Sequence, residues 1–245
     1  MKTIIIYFNM NVRPDSYKCD LELDETQENS YQYCHYVNII KCFVGYQNYA
    51  LKNAVMDEKK VKETLQQNKF YCLEFTKNGT SIIVAYISDT VPVNKKIIDT
   101  VTKPYKNITL YMVTKHDFRT YNKNSAKTIY NESKIIIKNL KHDHFILEIP
   151  RGTYANKKYR ILSEAEVKEI IETELCLKSK ANLSKIKVYD PMVIWYGAKE
   201  GDVVEITGLT ETTGKYINYR LVVNLPDMRT DASKTKTTDD SADVE

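Results

Sequence analysis

The sequence predicts an α+β fold, with an N-terminal α/β domain followed by a small mixed helix and β-strand domain. Three observations predict it. Apolar runs alternate with helical faces as far as Pro150, and an Asn78-Gly79 pair sits between two β-branched runs. Beyond residue 160, two capped helices precede two strands joined by a Gly- and Thr-rich turn. The chain divides into residues 1–30, a strand with a polar extension; 31–150, the α/β domain; 151–226, the small domain; and 227–245, an acidic tail whose composition predicts disorder.

"TIIIYF" near the start reads as a strand, because it is shorter than the roughly 7–15 residues of a signal-peptide core and is followed by Asn9. The chain is then polar, with Pro14 and "ELDETQEN", until Tyr31. From Tyr31 to about Asn53, Tyr36, Ile39, Ile40 and Phe43 recur at helical spacing and predict one buried face. A second helix follows from Asp57, with Val61 and Leu65 one turn apart. "FYCLEF" and "SIIVAYI" flank Asn78-Gly79, a pair that supplies the positive φ angles of a tight antiparallel hairpin.

"VPVNKKIIDTV" predicts a short helix and "NITLYMV" a strand. "TKHDFRTYNKNSAKT" is polar and basic without an apolar period, which predicts a loop over residues 115–127. "SKIIIKNL" and "HFILEI" supply further strands, or a helix and a strand. In the second half, Ser163 and Glu166 form a capping box, and Val167, Ile170, Ile171 and Leu175 line one stripe of a helix from 164 to about 176. Asp190 as N-cap, Pro191 at the first helical position and Gly197 as the stop predict a short helix. "DVVEI" and "YINYRLVV" complete the domain as strands.

The chain has 245 residues, 42% of them hydrophobic, with a net charge of +4. That length and apolar content support one or two buried cores. The mild basic excess permits a nucleic-acid neighbour without demanding one. Cys19, Cys34, Cys42, Cys72 and Cys176 are scattered and odd in number, as in reduced thiols of an intracellular protein. No run reaches the roughly 18 apolar residues of a membrane span.

Motifs that would carry chemistry are weak. Gly208 and Gly214-Lys215 lie one residue too far apart for a phosphate loop, Tyr216 stands where Ser or Thr would hold magnesium, and the segment leads into a strand. "HDH" would place His142 and His144 on one face of a strand, but a third metal ligand is missing, so hydrogen-bonded histidines are the commoner reading. Cys34-His35 point apart on a helix. The basic stretch, with Lys115, Arg119, Lys123 and Lys127 interleaved by Phe118 and Tyr121, offers charge and stacking to a nucleic acid, although such a run is usually a solvated face. No catalytic, cofactor or metal residues emerge, and nothing points to a small-molecule substrate.

"DPMVIWYGAKEGDVVEITGLTETTGKYINYRLVV", residues 190–223, resembles the C-terminal assembly module of the fifth subunit of eukaryotic-type DNA-directed RNA polymerase, a module that archaeal polymerases share. Asp190-Pro191, Gly197 with Lys199, Gly201-Asp202-Val203-Val204, Glu211-Thr212, Gly214 and Tyr219-Arg220 follow in that family's order and spacing. The likeness extends back through "ILSEAEVKEIIETELCL", so it covers residues 148–223. The first half resembles the family's jaw domain only in its order of elements.

The resemblance implies a non-catalytic subunit whose C-terminal domain docks on the largest polymerase subunit and neighbouring small subunits. Its jaw would face downstream duplex DNA. By that pattern Asp190, Pro191, Tyr196, Gly197, Lys199, Glu211, Thr212, Gly214, Tyr216, Tyr219 and Arg220 belong to the subunit interface. Lys115, Arg119, Lys123 and Lys127 lie near DNA, on a loop longer than the family's and lacking its proline. Ile194, Glu200 and Gly208 replace basic residues usual in the family, so the docking surface has changed with its partner. A divergent lineage, such as a large DNA virus encoding its own polymerase, fits that change. The implied location is the nucleus of a cell, or the host cytoplasm and virion for a virus. Two alternatives are a free nucleic-acid-binding factor, which the modest charge opposes, and a metal-dependent nuclease, for which Glu74 and Asp89 supply carboxylates without a tight motif.

Overall fold

A computed structural model of the chain describes residues 30–116, 118, 120–151, 157–210 and 214–224. The strand predicted at residues 1–8, its polar extension and the acidic tail lie outside the described residues. The first sheet contains β1 (Ala50–Leu51), β2 (Phe70–Lys77), β3 (Thr80–Ile87), β4 (Thr109–Thr114) and β5 (Ile136–Lys141) in that spatial order. The first three strands are antiparallel and the last three parallel. The β2–β3 turn is the Asn78-Gly79 pair, with φ of 49° and 77°, as the dipeptide demands.

Parallel strands require crossovers, and α3 (Lys95–Thr102) and α4 (Thr120–Ser133) provide them. Ile98, Val101 and Ile129 of these helices join Ile83, Ala85, Leu110 and Met112 in a core on one face. On the other face, α1 (Tyr31–Ile40) and α2 (Glu58–Asn68) cover Leu73, Phe75, Val84 and Val113. The Asp57 carboxylate caps α2 by accepting from Lys60 N–H at 2.8 Å, and Asn94 caps α3 likewise at Ile97 N–H, 3.0 Å.

Three expectations in this half are corrected. The first helix stops well short of Asn53. Its last turn, Lys41–Tyr46, widens so that Gln47 N–H bonds the Cys42 carbonyl five residues back, and the chain then turns at Asn48 (φ 59°) into β1. The predicted loop 115–127 is mostly helix, because α4 starts at Thr120. It is anchored by Phe118, whose N–H donates to Asn139 Oδ1 at 3.0 Å and whose ring lies in the core, so Phe118 is not free to stack on a nucleic acid. "HDHF" forms a 3₁₀ turn instead of a strand. There His142 is buried with Nε2 2.9 Å from the Ile87 carbonyl, and His144 Nδ1 accepts from Lys141 N–H at 3.3 Å.

The second sheet runs β6 (Lys157–Ile161), β8 (Val203–Thr210), β9 (Gly214–Val223) and β7 (Ser184–Lys187). Strand β7 pairs parallel to β9, and the others are antiparallel. Helix α5 (Glu164–Glu169) opens with the expected capping box: Ser163 Oγ accepts from Glu166 N–H at 3.4 Å, and Glu166 Oε2 accepts from Ser163 N–H at 2.8 Å. It too ends in a wide turn, Ile170–Glu174, in which Leu177 N–H reaches the Ile171 carbonyl. That turn rotates Leu175 out to solvent and brings Leu177 against Val167, Ile170 and Ile171, which corrects the predicted stripe.

Candidate assembly surface

Helix α6 (Pro191–Tyr196) joins the two sheets. Asp190 Oδ1 accepts from Met192 N–H at 2.9 Å, Pro191 holds the first helical position, and Gly197 ends the helix at φ 72°. Four consecutive residues, Met192 to Trp195, are buried, so the helix is covered on every side. Val193 packs into the second sheet's core with Val204, Ile206 and Val222. Ile194 and Trp195 enter the first core beside Tyr36 and Phe43. Gln47 Nε2 donates to the Ile194 carbonyl at 2.9 Å, which satisfies one open acceptor at the helix end.

A charged knot reinforces the junction. Glu148 accepts from Lys41 Nζ at 3.0 Å, Tyr46 Oη at 2.8 Å and Arg151 Nε at 3.1 Å. Burial, followed by the bond to Glu148, drives the Tyr46 hydroxyl far above its usual pKa, so it remains a donor. Asp190, Pro191 and Gly197 therefore act within the chain as the ends of α6. A Cβ at Gly197 would lie 2.7 Å from Gln47 Oε1, and its φ is left-handed. Gly197→Ala is accordingly expected to destabilise the chain by about 1–2 kcal/mol in urea unfolding, from backbone strain alone.

Tyr196 is half-buried, with its ring stacked on Tyr159 at 5.8 Å and edge-on to Tyr46 at 5.6 Å. Lys199 is exposed, and its N–H donates to Asp202 Oδ2 at 2.7 Å. Gly214 opens β9 at φ 67°, and the half-buried Tyr216 lies across the hairpin from Gly208, where any Cβ would overlap its ring. The segment is thus a two-stranded ribbon and not a phosphate loop. Tyr219 Oη donates to Glu174 Oε2 at 3.2 Å, while Arg220 sits opposite Val204 and Ser184, its buried Nε without a partner among the described residues. Glu211 and Thr212, like Arg119, lie outside the described residues.

The β8–β9 ribbon carries a feature that the sequence reading missed. On the face covered by α5, Val203, Tyr219 and Leu221 pack against that helix. Further out on the same face, Leu209 is 69% exposed and Ile217 50%. Register places Ile217 opposite Thr207 and Leu209 opposite Lys215, so the outer half of one sheet face is open and partly apolar. Nearer α5, Arg160 bridges Glu166 and Glu205, the latter at 2.9 Å. The signal was present in "VVEITGLT", where Leu209 continues the alternate set that begins at Val203.

The basic residues of the first domain are brought together in part. Lys123 and Lys127 are exposed one turn apart on α4, in line with Tyr130, whose ring lies 5.3 Å from Lys134 Nζ. Lys115 is exposed beyond the end of β4. The nuclease carboxylates do not converge: Glu74 pairs with Ile83, and Asp89 lies six residues along from Ile83, roughly 20 Å at strand rise. Among the described residues no three of His, Cys, Asp and Glu are placed to hold a metal ion.

The small mixed module is locked to its neighbour by one helix, and half of its ribbon face lies open beyond it. Residues 154–222 match the family described as RNA polymerase Rpb5, C-terminal domain. The chain is 48% identical over 65 residues to DNA-directed RNA polymerase subunit Rpo5 of Thermococcus celer, which covers 26% of this chain and 77% of that protein. It is 44% identical over 66 residues to the Rpo5 subunit of Methanosarcina acetivorans, covering 27% and 82%. A longer match, 27% identical over 157 residues, spans 62% of this chain and 77% of the Dictyostelium discoideum protein named DNA-directed RNA polymerases I, II, and III subunit rpabc1. The chain belongs to the Rpb5/Rpo5 family, the fifth subunit of eukaryotic-type and archaeal RNA polymerases.

Proposed function

We propose that the chain is a non-catalytic structural subunit of a multisubunit DNA-dependent RNA polymerase. It docks on the largest subunit through its C-terminal domain and turns its first, jaw-like domain toward downstream DNA. The observation that carries this reading is the match of the C-terminal module to archaeal Rpo5 proteins over more than three quarters of their own length. The open ribbon face with Leu209 and Ile217 supports the docking role, beside Lys199, Gly214 and Tyr216. The α4 stripe of Lys123 and Lys127, with Lys115, suits the DNA-facing role, since phosphate contacts need charge more than fixed geometry. Such a subunit works where its polymerase works, in the nucleus of a cell or in the host cytoplasm and virion of a virus.

Purification of a tagged chain from its native cell tests this. Wild type is expected to recover a large polymerase subunit, and recovery of none defeats the reading. Leu209→Asp with Ile217→Asp should cut recovery at least roughly tenfold, the scale of an interface hot spot. Lys123→Glu with Lys127→Glu should leave recovery intact and weaken DNA engagement, reducing its logarithmic salt dependence by about 2. Loss of assembly in the charge-reversed chain would show that the two domains do not divide the work in this way.

A further inference from the structure

The first sheet leaves backbone groups unmet along one edge. Strand β1 covers β2 only at Ala50 and Leu51, opposite Thr76 and Phe75. One step further, Lys52 N–H donates to the Glu74 carbonyl at 2.9 Å and Asn53 Oδ1 accepts from Glu74 N–H, and there the cover ends. The two-residue β2–β3 turn makes Lys77 and Thr80 a hydrogen-bonded pair, so Phe75, Leu73 and Tyr71, at alternate positions, also bond to β3. Phe70 and Cys72 therefore turn their N–H and C=O outward, on the side of Glu74, and among the described residues no hydrogen bond meets them there.

That edge floors a groove of about 530 Å³ between Met56, Lys60 and Thr64 on one side and Val101, Pro104 and Tyr105 on the other. The groove is one-sided in charge. Its lining includes Lys60 and no carboxylate, and Thr100 carries it on to an exposed flank of α3 where Lys95, Lys96 and Lys103 surround Asp99. Four lysines thus stand against one carboxylate, and among the described residues none of the four is in an ion pair. Glu74, where the cover ends, is already held by Lys52 Nζ.

We propose that the groove receives an extended segment of a partner protein, apolar in its centre and acidic at its ends, which adds to β2 as a further strand. The unmet N–H and C=O groups of Phe70 and Cys72 supply the pairing, and a segment of about five residues, roughly 17 Å, spans the open stretch. Met56 covers one face of such a strand and Val101 and Tyr105 the other, so its central residues are apolar on both sides. The lysines around the groove select carboxylates at its ends. A second copy of this chain fits worse, because isologous pairing of two such edges sets the same lysines against each other.

Hydrogen exchange of the full chain with a blocked synthetic peptide, Glu-Glu-Val-Ile-Val-Glu-Glu, tests the proposal, with Lys-Lys-Val-Ile-Val-Lys-Lys as its control. At saturating acidic peptide the Phe70 and Cys72 amides are expected to exchange at least roughly tenfold more slowly, while β3 and β4 amides do not change. Lys96→Glu with Lys103→Glu should weaken the acidic peptide about fivefold. Cys72→Pro removes one outward N–H and none of the bonds to β3, so it should leave the urea midpoint nearly in place and abolish the protection of Phe70. The charge-reversed chain keeps every backbone group and decides the matter where Cys72→Pro fails to fold. Absence of protection by the acidic peptide overturns the proposal, as does equal protection by the lysine peptide or equal binding by a folded variant. So does protection of both amides in the free chain, or protection that grows with protein concentration alone, which marks a second copy as the occupant.

Discussion

Trp195→Ala is expected to lower the unfolding free energy by about 3–5 kcal/mol, the range for removing a large buried aromatic side chain. Trp195 is completely buried, meets the Tyr46 ring edge-on at 5.3 Å, and packs with Phe145 at 6.3 Å. Its indole N–H donates to the His144 carbonyl at 2.8 Å, so truncation leaves both a cavity and a buried acceptor without its donor. The residue belongs to α6 but sits in the core of the other sheet, and the damage should therefore loosen the two halves together. Trp195 is the only tryptophan, so the variant must be followed by circular dichroism in urea, with Trp195→Phe as the milder control. A loss below about 1 kcal/mol would mean that the junction does not depend on this side chain.

The second large effect is acid lability. His35 is completely buried, with Nδ1 3.1 Å from Tyr86 Oη and Nε2 without a partner among the described residues. Burial, followed by repulsion from His142, pushes its pKa down to about 4, against a smaller opposing pull from Asp89. His142 is lowered as well, again by burial first. The unfolded chain takes up these protons near pH 6.5 while the folded chain resists them. Stability is therefore full above pH 6.5 and falls as pH drops from 6.5 to 4, by about 3 kcal/mol for His35 alone. Urea midpoints across that window measure the loss, and His35→Gln should flatten the curve. An unchanged slope in the variant would assign the titration elsewhere. Glu58 and Glu166, held down to about 2 chiefly by Lys62 and Arg160, titrate below this window.

Local chemistry was legible wherever one short signal decided the backbone. Asn78-Gly79, the Ser163–Glu166 box and the Asp190–Pro191 start each name their own turn or cap, and the structure has them. Helix α4 was not legible because its apolar contribution to the core comes chiefly from Ile129, with Phe118 just before it; the crossover between two parallel strands, a tertiary demand, makes that polar segment helical. The wide turns at Lys41–Tyr46 and Ile170–Glu174 leave no sequence signature, and the second exchanged Leu175 for Leu177 in the core.

The candidate assembly surface was half legible. Family order pointed to residues 190–223, and within them Asp190, Pro191 and Gly197 shape the ends of a helix whose Met192–Trp195 stretch is buried in the chain's own interior. A sign of this lay in Met192-Val193-Ile194-Trp195, since four apolar residues in succession on a short helix leave no face for solvent. The exposed pair Leu209 and Ile217 could be recognised only once strand register separated the covered half of the face from the open half.

The same helix imposes an order on biosynthesis. The cleft that receives Ile194 is lined by Cys42 and Gln47, and Gln47 is separated from Ile194 by 147 residues of chain. At roughly 5–20 residues per second, the ribosome needs about 7 to 30 seconds to deliver the plug after it has made the socket. During that interval the nascent first sheet displays an unfilled apolar recess, an invitation to chaperones. Its final closure must wait for that later segment, and it is slow because the contact is so distant in sequence.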